Sequence, residues 1–470
     1  MNSDNNQLPK RAQWTSNFGF IMAAAGSAVG LGNLWKFPFL VGQNGGSAFI
    51  LAYLFFVVFI GITLAIAEIS IGRSTQLNPI DAYEKISPKL KWVGALGAIS
   101  GVIILSYYAV VGGWILYYLS KSLLSFNSSL DYTNVFSEFT SNVWLQFLTF
   151  SIYFLINYEI IVSGVQKGIE KCSKILMPAL FVMMILVTIR TLTLEGAQEG
   201  IVFLLKPDFA KLNSKTILAA MGQVFFSLSL GVGTLLTFGS YLKKEDNMLK
   251  SAFYIPIIDT LVAILAAVAI MPAVFAYNLE PTAGPPLMFI TLPTIFSKMP
   301  LGNIIGFVFF ILVFFAAITS SISMLEALIS FLVDHYKWNR TKAVKLSTIV
   351  TFLLGIPSAL SFNLIKDFHI LPEKTVFEFM DFLASNIIMP IGGIALCIAV
   401  GWIWEGGIKK IKTSDTSAEE KDSYMGYVNN SAIKEITNNG KIKFSIISIW
   451  AFFLKWLCPI AILAIFIDNL

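Results

Sequence analysis

Histidine, cysteine and charge are scarce in this chain, and each scarcity excludes something. His335 and His369 stand far apart near the ends of apolar stretches, so they form no histidine-based metal centre and no paired catalytic set. Cys172, Cys397 and Cys458 are scattered, without metal-ligand spacing or an evident disulfide partner. Charged residues are only 13% of the 470, hydrophobic ones are 56%, and mean hydropathy is +0.74. No soluble domain of this length has that balance; it belongs to a polytopic membrane protein. The net charge of +5 sits on loop lysines and signals no nucleic-acid partner. A channel would want a filter loop or a charged ring, and a membrane enzyme a nucleophile with its base. The sequence offers neither.

Long apolar runs are what the chain does have. Crossing a bilayer as a helix takes about 20 apolar residues. Eleven spans are predicted, at roughly 17–40, 47–71, 92–124, 143–163, 174–194, 216–241, 251–277, 302–335, 344–362, 375–404 and 444–467. The piece from Pro285 to Phe296 is too short to span and reads as a re-entrant or lid helix; Gly200 to Leu205 reads as amphipathic. The first span is too long for a signal-peptide core and runs into Lys36-Phe37-Pro38 rather than a cleavage site, so it is expected to be retained. Lysine and arginine fall on alternate loops with a bias of roughly three to one, which puts the N-terminus inside. An odd number of spans then leaves the C-terminus outside. The polar loop at about 405–443 is expected to be mobile, and no soluble domain is predicted.

The first span is interrupted at its centre by Ala25-Gly26-Ser27-Ala28-Val29-Gly30-Leu31-Gly32-Asn33. Each glycine costs a helix about 1 kcal/mol relative to alanine. Taken alone, Gly26 and Gly30 are more commonly a helix-packing face. A second interruption in the sixth span, Phe225-Phe226-Ser227-Leu228-Ser229-Leu230-Gly231-Val232-Gly233, changes the balance. Unwound backbone inside lipid must face protein, water or solute. Two broken helices in matching positions point to a transporter's binding site at mid-membrane, with spans 1–5 and 6–10 as inverted halves and the eleventh span outside them.

Acidic residues inside spans cost roughly 2.5–3.5 kcal/mol on insertion scales and need a reason. Four occur: Glu68, Asp259, Glu326 and Asp381. Glu68 reads as a brace that accepts N–H groups freed by a broken helix. Glu326 is either such a brace or a pathway residue. Asp259, with Asn33 and Ser227, supplies oxygens from three helices to a hard cation such as sodium. Thr319-Ser320-Ser321 is a second hydroxyl cluster. Alone it would merely bond back to its own helix; beside unwound carbonyls near Gly26 and Val29 it becomes a second cation site. Tyr107 and Tyr108 either fill the core or meet a solute carboxylate.

The first-span motif, with Trp35-Lys36-Phe37-Pro38 and Asn44-Gly45-Gly46, resembles the signature of the neurotransmitter:sodium symporters. Phe226 to Gly231 is similar to their sixth-helix break and Thr319-Ser320-Ser321 to their eighth-helix sodium motif. The resemblance covers nearly the whole chain. It implies an all-α polytopic protein of the leucine-transporter type: a single transmembrane domain with a 5+5 inverted repeat and broken helices 1 and 6. The repeats would run from about 10 to 195 and from about 213 to 405, ahead of an eleventh helix at about 444–467. It implies a sodium-coupled symporter in a bacterial cytoplasmic membrane, importing a hydrophobic or aromatic L-amino acid, and no enzyme. A sensor that binds the solute without moving it, or a symporter for leucine or another aliphatic amino acid, fits the same residues.

The resemblance also implies roles. The first sodium would sit near Ala28, Asn33, Ser227 and Asp259. The second would take carbonyls of Gly26, Val29 and Ala316 with the hydroxyls of Thr319 and Ser320. The substrate carboxylate would meet N–H groups near Leu31 and Gly32 and the hydroxyl of Tyr108; its ammonium would meet carbonyls near Ala25, Phe226 and Ser229. Ile104, Phe226, Val232, Ser320 and Met324 would line the side-chain pocket, Val232 leaving room that favours tyrosine, tryptophan or phenylalanine. Lys36 and Asp381 would pair as an outer gate under a lid of Phe226. Arg11 and Asp334 would pair as the inner gate, with Trp14 and Tyr241 nearby. Lysine at position 36, where arginine is usual, keeps the charge but loses the bidentate fork. The Asp259 carboxylate would substitute for chloride, so two sodium ions and no chloride are expected.

Overall fold

A computed structural model of the chain describes residues 11–124, 126, 129–279, 285–409, 423–424, 427–428 and 430–468. Lys10, Lys410, Lys412 and Lys421, which contribute to the charge bias that puts the N-terminus inside, lie outside the described residues.

The apolar runs become helices because lipid offers no partner for backbone N–H and C=O groups. Among the described residues, nine are long and apolar enough to cross a membrane unbroken: Ser47–Thr75, Pro88–Leu123, Val143–Val162, Val165–Leu192, Met248–Ala276, Gly302–Asp334, Arg340–Leu360, Val376–Gly406 and Ile447–Asp468. The other two predicted spans are the broken ones. Span 1 is Asn17–Ala28 followed by Gly32–Gln43, bent by 56°. Span 6 is Ser214–Ser227 and Thr234–Gly239, with six residues between them outside either helix. The short apolar segment forms the helix Leu287–Lys298, and Ala197–Leu205 is a second short helix.

Both interruptions have local causes. At the end of the first half-helix, Val29 leaves helical geometry (φ −66°, ψ 111°) while its N–H still bonds Ala25 O at 2.7 Å. Asn33 Oδ1 then accepts the Gly30 N–H at 3.0 Å, replacing a helix bond with a side-chain one. In span 6, Ser229, Gly231 and Gly233 adopt φ of 50°, 82° and 79°. That region is nearly free for glycine and costly for serine. Gly231 also lies so close to span 10 that a Cβ would come within 2.7 Å of Gly393 N and Met389 O.

The buried face of the bundle is not purely apolar. Asn33, Glu68, Arg73, Asp259, Thr319 and Glu326 are each 1% exposed or less. The first half-helix packs against spans 5, 7 and 8, and these polar groups gather around the two breaks and below them.

The last part of the loop between spans 10 and 11 is anchored. Within it, Ser431–Ile436 is a helix with Ala432, Ile433 and Ile436 buried, docked on span 2. Arg73, 1% exposed near the C-terminal end of span 2, helps to tie it down. Its Nε is 3.3 Å from Glu435 Oε2, and its Nη2 donates to Lys244 O and, at 2.8 Å, to Asn438 Oδ1. Polarity alone suggests mobility over 405–443; at 432, 433 and 436 apolar residues supply an anchoring face, and 410–422 lie outside the described residues.

Candidate solute and cation site

A cavity of about 310 Å³ opens where the two breaks meet. Leu31 and Gly32 reach it from span 1, and Phe226, Ser227, Ser229 and Val232 from span 6. Ala28, Ile104, Tyr108, Ser320 and Met324 complete the predicted set on its wall. Leu31 N donates to Tyr108 Oη at 3.4 Å. Gly32 needs its missing side chain: a Cβ there would stand 2.8 Å from the Phe226 ring. Ala25 does not line the cavity. It is fully buried, and its carbonyl is engaged by Val29 within the last helical turn. Unwinding begins after Ala28, a turn later than a free Ala25 carbonyl would require.

Asn33, Ser227 and Asp259 meet as expected from three spans. Asn33 Nδ2 is 2.8 Å from Asp259 Oδ1, 3.2 Å from Asp259 O and 3.0 Å from Ser227 Oγ. Ser227 Oγ donates to Asp259 Oδ2 at 2.7 Å. All three residues are 2% exposed or less. Two residues that drew no attention in the sequence border this cluster. Gln223 Nε2 donates to Gly32 O at 3.1 Å, and the Tyr53 hydroxyl lies beside Asp259 and Ser227.

The second cluster divides. Thr319 Oγ1 donates to Phe315 O at 2.9 Å and Ala316 O at 3.1 Å, the back-bonding that serine and threonine make in membrane helices. Thr319 packs on the Gly26 turn, where a Cβ on Gly26 would lie 3.1 Å from Thr319 Cβ. Ser320 Oγ donates to Ser27 O at 3.1 Å. Ser321 turns away to span 4, donating to Asn157 Oδ1 at 2.6 Å and accepting from Tyr153 at 3.0 Å.

Above the cavity, Lys36 and Asp381 both reach its wall but make no ion pair among the described residues. Lys36 Nζ instead lies 4.0 Å from the centre of the Phe226 ring, a cation–π contact. Asp381 Oδ1 accepts from Tyr107 Oη at 2.9 Å and Ser385 Oγ at 3.1 Å. Two neutral hydroxyls satisfy the carboxylate where a guanidinium fork would have competed for it. The Tyr107 hydroxyl thus belongs to the Asp381 cluster, and that of Tyr108 to the Leu31 turn.

Below it, Arg11 pairs with Asp334 and donates to Ser240 Oγ at 2.7 Å. Its guanidinium carbon lies 4.9 Å from the Tyr241 ring centre. Trp14 Nε1 donates to Phe238 O at 2.9 Å. Tyr241 Oη continues to Glu326 Oε1 at 2.8 Å, and Arg340 holds both oxygens of Glu326 at 2.9 and 2.8 Å. Glu326 thus accepts from side chains rather than from N–H groups freed by a break, in an ion pair whose Arg340 side is 25% exposed. Glu170, 1% exposed, accepts Thr15 N at 2.9 Å and pairs with Lys174 at 2.7 Å. Neither Arg340 nor Glu170 stood out in the sequence, because each lies at a span end where charge is ordinary.

The description "Sodium:neurotransmitter symporter family" matches residues 11–146 and 145–438 of this chain. The chain belongs to this family. An uncharacterized sodium-dependent transporter of Bacillus subtilis is 38% identical over 464 residues, 98% of each chain. One of Haemophilus influenzae is 36% identical over the full length of both. The human sodium- and chloride-dependent taurine transporter is 26% identical over 85% of this chain and 72% of its own. The crystal structure of MhsT in complex with L-phenylalanine superposes with a TM-score of 0.84 at 39% identity, covering 98% of this chain and 100% of that one. Membership fixes the coarse function: a sodium-dependent, multi-pass membrane transporter with an all-α fold.

Proposed function

We propose that this family member imports a hydrophobic L-amino acid, aromatic ones preferred, by sodium-coupled alternating access. The observation that carries the reading is the cavity between the two breaks, lined by backbone of both and by an apolar wall of Ile104, Val232 and Met324. The L-phenylalanine bound by MhsT, 39% identical in sequence, supports a hydrophobic side chain. In this reading the carboxylate takes N–H groups at Leu31 and Gly32 and the Tyr108 hydroxyl. The ammonium faces carbonyls at Phe226 and Ser229, at the C-terminal end of the first half of span 6, where the helix dipole favours a cation.

Two sodium ions accompany the substrate. The first takes oxygens of Ala28, Asn33, Ser227 and Asp259; Asn33 serves once its amide turns Oδ1 toward Asp259. The second takes carbonyls of Gly26, Val29 and Ala316 and the hydroxyls of Thr319 and Ser320. The Asp259 carboxylate supplies the compensating negative charge, so transport is independent of chloride. At about 100 mV each charge contributes about 2.3 kcal/mol. Two ions with a neutral zwitterion supply about 4.6 kcal/mol, enough for roughly a thousandfold accumulation. Spans 1, 2, 6 and 7 rock against the rest, Phe226 with Lys36 and Asp381 closing the outer side, and Arg11, Trp14, Asp334 and Tyr241 the inner. The N-terminus lies inside and the C-terminus outside a bacterial inner membrane.

The test is uptake of a panel of labelled L-amino acids into proteoliposomes, with and without a sodium gradient. Sodium-driven accumulation of tyrosine, tryptophan or phenylalanine above aliphatic and charged amino acids is expected. Binding without accumulation, or accumulation of another class, overturns the reading.

A further inference from the structure

The hydroxyls of two serines on the cavity wall have no part in the contacts assigned so far. Ser27 Oγ and Ser323 Oγ lie 2.6 Å apart, 4% and 2% exposed, and both border the cavity. Ser323 is one helical turn beyond Ser320, on the side of Asp334, so the pair marks the inner end of the space. Met324, next in the chain, also lines the cavity and belongs to the side-chain end of the pocket in the reading above.

The protons of the pair can be counted. Ser323 Oγ donates to Ser320 O at 2.6 Å, which uses its one proton. The short contact between the two hydroxyls then requires Ser27 to donate to Ser323. Both protons are spent, and what remains is acceptor capacity: the lone pairs of Ser27 Oγ and one of Ser323 Oγ. An acceptor-only polar spot in an apolar pocket selects for a donor on the ligand.

We propose that Ser27 and Ser323 accept a hydrogen bond from the far end of the substrate side chain. The transported class is then aromatic amino acids that carry an O–H or N–H donor, tyrosine and tryptophan, ahead of phenylalanine. This rests on the amino-acid reading above and sharpens it. One net hydrogen bond corresponds to a preference of about three- to tenfold. The preference is modest because phenylalanine leaves only lone pairs unpaired, not a buried donor.

The experiment is displacement of labelled L-tyrosine from the purified full-length protein in sodium. The competitors are tyrosine, tryptophan, phenylalanine, 4-fluorophenylalanine and 1-methyltryptophan. The expected result is that the two donor-bearing amino acids compete about three- to tenfold better than their donorless partners. In Ser27→Ala and Ser323→Ala, the tyrosine-to-phenylalanine ratio should fall towards one. Equal competition by all five in the wild type overturns the inference even if neither variant folds. A wild-type preference that both folded variants retain does so too, and leaves the pair as a clamp between spans 1 and 8. Sodium-dependent binding of no aromatic amino acid is a distinct outcome: it removes the functional reading itself, and this inference with it.

Discussion

Glu68 Oε1 accepts the backbone N–H of Gly233 at 3.0 Å, so a carboxylate of span 2 replaces the helix bond that the break in span 6 gave up. A free N–H at that depth has no water to turn to. Glu68→Ala leaves it unpaired and is expected to cost about 1–3 kcal/mol, read as a fall in the sodium-dependent melting temperature in detergent. Glu68→Gln keeps an acceptor oxygen and should recover most of the loss. If alanine and glutamine melt together at the wild-type temperature, the brace contributes nothing.

Tyr108 offers its hydroxyl oxygen to Leu31 N at 3.4 Å, a long bond that leaves the O–H proton for a substrate carboxylate. Tyr108→Phe removes a hydrogen bond to a charged group, about 1.5–3 kcal/mol. Amino-acid affinity should fall roughly ten- to a hundredfold, the melting temperature without substrate changing little. Near-wild-type affinity would take the carboxylate away from Tyr108.

Asp259 carries the negative charge of its cluster; Asn33 and Ser227 are neutral. In Asp259→Ser that charge is gone, and a cation held there needs another anion. Uptake by this variant is expected to depend on chloride, while the wild type runs equally well in gluconate. Chloride-blind uptake by the variant, or a chloride requirement in the wild type, would end the idea that this carboxylate stands in for the ion.

Thr319 spends its proton on its own helix, which leaves lone pairs for a cation. Thr319→Ala removes one ligand and should shift the sodium activation curve to higher concentration by about tenfold, whereas Thr319→Ser should shift it far less. An unchanged curve for alanine would unseat the second cation site.

The two breaks were legible because glycine clusters are conspicuous inside apolar runs, and Glu68, Asn33 and Asp259 because polar residues there have few reasons to exist. The resemblance, not the residues, supplied the pairing of Lys36 with Asp381, and there the structure differs. Tyr107 and Ser385 satisfy the carboxylate, and the lysine ammonium settles over a ring. Which of two acceptable partners a charge takes depends on distances that no motif encodes. The partners of Glu326 are not legible in the sequence, because Arg340, fourteen residues on, looks like any basic residue at the start of a span.

The docked helix Ser431–Ile436 was missed for a similar reason, since six residues in a polar loop give too little periodicity to read. Its hold on the bundle rests on Glu435, which pairs with Arg73 and, at 2.6 Å, with Lys244. Arg73 ends span 2 and Lys244 follows span 6, so one carboxylate links two elements that the proposed mechanism moves together. Lys244 is 47% exposed, and its share is correspondingly small; most of the cost of Glu435→Ala comes from stranding the Arg73 guanidinium, which is 1% exposed. About 1–3 kcal/mol is expected, seen as faster hydrogen exchange in residues 431–438 and 242–247 with the membrane spans unaffected. Glu435→Gln, which can still accept from Arg73, should lie between. Unchanged exchange in the alanine variant would mean that the apolar face of Ala432, Ile433 and Ile436 holds the helix in place without help from the ion pair.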